Sequence, residues 1–117
     1  MADYFLTDAP RSLLDQFNKR IDQREPKGKI TTWERSKDGD HYTHKSEEWG
    51  KLAWFKPSVE SGKLAFYIIK PKDRNIATVV YGYYHGHLIE TFLNHFDKDF
   101  TKAEATPLPA RGDHCSS

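Results

Sequence analysis

The sequence predicts an α+β domain: a five-stranded antiparallel meander sheet flanked by an N-terminal and a C-terminal amphipathic helix. Three observations carry this. Apolar residues recur at helical spacing near the start, at Leu13, Leu14, Phe17 and Ile21, and near the end, at Leu88, Ile89, Phe92, Leu93 and Phe96. Between these stripes lie short runs rich in β-branched and aromatic residues, punctuated by Gly, Pro and Asp. The connections between those runs are too short for parallel crossovers, so neighbouring strands run antiparallel.

The first element is a helix over residues 9–23. Thr7 or Asp8 can cap it, and Pro10 suits a first turn that needs no amide hydrogen. Tyr4, Phe5 and Leu6 precede it as a hydrophobic staple or an extended arm, and Pro26 with Gly28 ends the helical pattern. Residues 29–36 read as a strand. Asp38-Gly39 then marks a hairpin, because both positions tolerate positive φ, and the return strand spans residues 41–45. This hairpin is polar on both faces and belongs at an edge. A loop covers residues 46–50. Strands follow at residues 51–56 and 63–70, with turns over residues 57–62 and 71–75.

Residues 76–84 hold Ile76, Thr78, Val79, Val80, Tyr81, Tyr83 and Tyr84, and read as the fifth strand. From His85-Gly86 the period changes to that of the second helix, with Phe100 one turn beyond its main stripe. Alternation in the last three strands puts Leu52, Trp54, Leu64, Phe66 and Ile68 on one face. Ala53, Phe55, Ala65, Tyr67, Ile69, Tyr81 and Tyr83 fall on the other. Both sets are apolar, whereas a half-exposed antiparallel sheet shows one polar face. The tyrosine-rich second set is the more open one on this reading.

The domain spans residues 1–100, and residues 101–117, with Pro107, Pro109 and no periodicity, form a flexible tail. A chain of 117 residues buries one core without staples. The formal net charge of +1 argues against a histone-like nucleic-acid binder. Cys115 is the one cysteine, which excludes an intrachain disulfide and a thiolate metal site. No apolar run reaches roughly 18 residues, so no membrane partner is expected, and a start without a secretion signal points to the cytoplasm.

Chemistry is sparsely marked. The six histidines lack chelating spacing: His41 and His44 differ by three on a strand, and His87 and His95 lie two helical turns apart. No P-loop, dinucleotide glycine pattern or nucleophile elbow is present, so no catalytic residue, cofactor or metal is assigned. Arg111-Gly112-Asp113 matches an adhesion tripeptide and is read as coincidence. The leading expectation is a non-enzymatic interaction module that binds a protein partner or forms a homodimer through an aromatic sheet face. A second is single-stranded nucleic-acid binding, with lysines interleaved among aromatic rings. A third is a small-ligand site or enzyme at the last strand–helix junction, through Tyr83, His85 and His87. The binding residues these readings single out are Trp54, Phe55, Tyr67, Tyr81, Tyr83, His85, His87, Lys56 and Lys70.

Overall fold

The computed structural model describes residues 2–115. Its elements are β1 (Ala2–Leu6), α1 (Pro10–Asp22), β2 (Trp33–Arg35), β3 (Tyr42–His44), β4 (Trp54–Glu60), β5 (Lys63–Ile69), α2 (Thr78–Phe96) and β6 (Lys102–Ala105). One antiparallel sheet holds the strands in the order β2-β3-β4-β5-β1-β6. The expected meander is present in β2 to β5. The sheet then gains β1 and β6, which the sequence reading left out.

α1 begins as its sequence dictates, with Pro10 in the first turn. Its cap is Ala9 rather than Thr7 or Asp8; the Thr7 hydroxyl accepts from the Ala9 amide at 3.1 Å instead. Leu13, Leu14, Phe17 and Ile21 form its buried face. Phe17 of α1 and Phe92 of α2 lie 5.0 Å apart, and both meet Phe66 of β5, at 5.7 and 5.6 Å. Both helices therefore cover the same face of the sheet. Phe5 joins this core by stacking on Phe92 at 4.1 Å, and such offset or edge-on ring contacts add to the area burial they accompany.

The β2–β3 hairpin turns at Asp38-Gly39, with Gly39 at φ 79° and the Ser36 amide donating to the His41 carbonyl at 2.8 Å. β2 is an edge strand, as its polarity implied. Residues 29–32 lie outside the strand, although Ile30 is buried in the core.

The reading of residues 57–62 as a turn is corrected. β4 runs through Pro57 to Glu60, and only Ser61 and Gly62, the latter at φ 77°, make the turn into β5. Pro57 is tolerated in a strand because β3 pairs with β4 only at Tyr42–Phe55, so the stretch beyond has an open side. Across this two-residue turn Glu60 opposes Lys63, so even-numbered residues of β4 share a face with odd-numbered residues of β5. Phe55 opposes Ile68 and Trp54 opposes Ile69, so the Trp54–Phe66 face assignment is also corrected.

The fifth expected strand, residues 76–84, is corrected as well: its larger part is the first two turns of α2. β-propensity favours a strand there, but position decides. Tyr84, His85, Leu88, Thr91, Phe92 and Phe96 form one buried helical stripe that continues upstream of Leu88. Val79 is 66% exposed, which a central strand would not allow. Gly86, where the change of period was expected, and Gly82 sit on the open side of the helix with nothing within 4 Å of a built Cβ.

Beyond residue 100, Lys102–Ala105 and His114 join the sheet. β6 pairs with β1, and His114 bridges to Ile69 in parallel. The Asp113 carboxylate accepts from the Ile68 amide at 2.9 Å, and the His114 amide donates to the Ile68 carbonyl at 2.8 Å. This segment thus continues along the β5 edge where β1 ends. No helix among the described residues is long and apolar enough to cross a membrane.

Candidate functional site

Pairing sorts the sheet residues by face. Tyr42, Phe55, Phe66, Ile68, Asp3 and Phe5 point toward the helices. Tyr4, Trp54, Lys56, Tyr67 and Ile69 point away from them. Four of the singled-out residues meet on or beside this helix-free face: Trp54, Lys56, Tyr67 and Lys70. Phe55 does not, being fully buried in the core. Tyr81, Tyr83, His85 and His87 all lie on α2.

Trp54, Ile69 and Pro71 wall a cleft of about 300 Å³, with Lys70, Lys72, Ser36 and His41 around it. Its lining is mostly apolar and its charged groups are cationic. Lys56, Lys70 and Lys72 form no ion pair among the described residues. Tyr67, next along the face, is already engaged. Its hydroxyl donates to Glu60 at 2.8 Å, and Gly112 packs so closely that a Cβ there would lie 2.9 Å from the ring. Burial first, then the Glu60 carboxylate, raises its phenol pKa. Lys63 sits 4.2 Å over the Tyr4 ring and 3.7 Å from Glu60. The Arg-Gly-Asp tripeptide accordingly serves the fold: Gly112, at φ 109°, fits against Tyr67, and Asp113 binds the end of β5.

The junction site dissolves with its strand. His85 and His87, two residues apart on a helix, diverge. His87 instead joins a second cluster. Trp49 stacks on Tyr83 at 3.9 Å and 7°, and Tyr83 stacks on His87 at 4.0 Å and 22°. His87 Nδ1 lies 3.3 Å from His44 Nε2. The Ser46 amide donates to His44 Nδ1 at 3.2 Å, so neutral His44 carries its proton on Nε2 and donates it to His87. Burial first, then His87, lowers the His44 pKa. The loop that delivers Trp49 is tied down by Tyr84, whose hydroxyl reaches the Trp49 carbonyl and, at 3.1 Å, the Thr43 hydroxyl. Sequence spacing could not reveal this cluster, because its members come from a hairpin, a loop and a helix.

His85 faces the core. Its Nδ1 lies 2.9 Å from Oδ1 of Asp3, whose side chain is fully buried. Neither Asp3 oxygen nor either His85 nitrogen is placed to make a hydrogen bond. Burial raises the Asp3 pKa to about 6, against the opposing pull of His85. An Asp–His contact of this length can orient a general base, but His85 is only 7% exposed, which keeps substrate from its ring. The alternation of the first strand carried a signal for this pair, since Asp3 shares a face with Phe5.

Among the described residues, no group of three or more His, Cys, Asp or Glu is placed to hold a metal ion. Compared with protein-family models, curated proteins and solved structures, the chain matches none.

Proposed function

We propose that the protein is a non-enzymatic binding module whose helix-free sheet face receives an acidic protein segment, anchored by an apolar side chain in the Trp54 cleft. The observation that carries this reading is the cleft itself: an apolar floor of Trp54, Ile69 and Pro71 beside Lys70 and Lys72, with Lys56 on the same face, none of them in an ion pair among the described residues. An apolar anchor ringed by complementary charge is the usual anatomy of a binding centre.

Two other occupants fit less well. A second copy meeting this face would bring lysines against lysines, and like charges across an interface oppose association. Single-stranded nucleic acid needs successive rings for its bases. Here Tyr67, beside Trp54 on the face, is already packed by Gly112 and bonded to Glu60.

The test is selection of short random displayed peptides on the immobilised protein. Wild type should enrich acidic sequences with one large apolar residue, and Trp54→Ala or the pair Lys70→Glu, Lys72→Glu should lose them. Enrichment that ignores these substitutions removes the Trp54 face from the account. Tight oligonucleotide binding with a steep salt dependence would favour the nucleic-acid reading instead.

A further inference from the structure

We propose that His44 and His87 together form a binding seat for a divalent transition-metal ion of the imidazole-preferring class: Zn²⁺, Ni²⁺ or Cu²⁺. The two ring nitrogens that face each other, His44 Nε2 and His87 Nδ1, are 3.3 Å apart. Two imidazole nitrogens bound to one tetrahedral zinc at ~2.0–2.1 Å are separated by about 3.3–3.4 Å, the edge of the tetrahedron. The nitrogens therefore already stand at the separation that chelation requires.

The seat is held in place from both sides. The Trp49–Tyr83–His87 stack fixes the plane of the His87 ring. His44 is 6% exposed and packs edge-on to Trp33 at 5.5 Å. Both histidines line an open cleft of about 340 Å³, with Thr31, Thr32, Ser46, Lys45 and Glu90. Glu90 follows His87 by three residues on α2 and so lies on the same side of the helix. Water fills the remaining coordination positions, with the Glu90 carboxylate nearby and the Lys45 ammonium opposing the ion. Imidazole suits Zn²⁺, Ni²⁺ and Cu²⁺, whereas Mg²⁺ and Ca²⁺ prefer all-oxygen shells.

Binding carries a specific structural consequence. A metal ion on His44 Nε2 needs the lone pair there, so the His44 proton moves to Nδ1. That nitrogen then no longer accepts from the Ser46 amide. Metal-bound histidines ordinarily donate their second nitrogen to an acceptor. Loading therefore breaks the Ser46 contact and shifts the loop that carries Trp49.

The experiment is a titration of the purified full chain with NiCl₂ or CuCl₂, read by tryptophan fluorescence, and with ZnCl₂, read by calorimetry and by nitrogen NMR of the histidine rings. Saturable quenching is expected, together with conversion of His44 from the Nε2–H to the Nδ1–H tautomer on adding zinc. His87→Gln should weaken binding at least tenfold, and His44→Gln likewise, while His41→Gln and His95→Gln should leave it unchanged. Circular dichroism of each variant separates loss of the seat from loss of the fold. Quenching that does not saturate, equal binding by His87→Gln, or a His44 tautomer unmoved by zinc would each overturn the proposal.

Discussion

Replacing Asp3 by Asn removes one titrating group from the core and should reverse part of the protein's response to acid. Asp3 is buried, and its carboxyl takes up a proton at about pH 6 in the folded chain, against the ordinary value of 3.8. A raised acid means that the folded state binds more protons than the unfolded state between those two values. This contribution to stability is fully present below pH 3.8 and is lost as pH rises through 6. A shift of about 2 units at about 1.4 kcal/mol each gives roughly 3 kcal/mol across the whole window. Between about pH 7.5 and about pH 4.5 the same relation gives about 2 kcal/mol. The assay is urea denaturation of wild type and Asp3→Asn at those two pH values. Titrating groups that do not touch Asp3 cancel in the difference, including His44, whose lowered pKa acts in the opposite direction as pH falls. Wild type should gain about 2 kcal/mol on the variant as the solution is acidified. A gain by the variant instead would mean that His85 holds Asp3 ionised, and the burial argument would fail. A companion comparison separates pair from site. Asp3→Leu alone leaves the buried His85 ring against an apolar side chain and should cost about 1–3 kcal/mol, whereas Asp3→Leu with His85→Leu should cost less.

Two further outcomes follow from the geometry. A Cβ on Gly50 would lie 2.6 Å from the Ser46 carbonyl oxygen and 2.8 Å from that of His44, both main-chain atoms that cannot swing aside. Gly50→Ala should therefore lower stability by about 2–4 kcal/mol, combining overpacking with loss of the hydrogen bond that the Gly50 amide donates to the Ser46 carbonyl. Gly86→Ala, in open space on α2, should instead raise stability by about 0.5–1 kcal/mol, measured by the same denaturation. Light scattering on a sizing column should give the mass of a monomer, 13.6 kDa, at low and at high salt. A dimer that survives both conditions would mean that the lysines of the Trp54 face do not prevent self-association.

Much of the architecture was legible because it is written in periodicity. α1, the Asp38-Gly39 hairpin and the core of β5 follow directly from apolar spacing and turn residues. Two of the misread elements share one physical source: local preference was overruled by partners distant in sequence. Val79, Val80 and Tyr81 favour a strand, yet the stripe from Tyr84 to Phe96 recruits them into a helix over the sheet. Lys102–Ala105 has no pattern of its own and becomes a strand because β1 offers it an edge. Of the expected aromatic face, Tyr67 and Ile69 lie on the helix-free side; Trp54, expected on the opposite face, joins them there, and Tyr81 and Tyr83 belong to α2. Phe55 was misplaced because a two-residue turn pairs odd-numbered residues of β4 with even-numbered residues of β5, so numbering carried across it assigns the wrong face. The histidine pair could not be read, because it joins residues 43 positions apart, and for the Asp3–His85 contact alternation marks only the inward side of Asp3 and not its partner.

The most direct test of the binding-face account is an amide NMR titration of the protein with the acidic peptide that selection enriches. Shifts should concentrate on the Trp54 indole, Lys56, Ile69, Lys70 and Lys72, leaving the helix-covered side at Phe17 and Phe92 unmoved. Shifts centred on α2, or saturation that persists in Trp54→Ala, would contradict it.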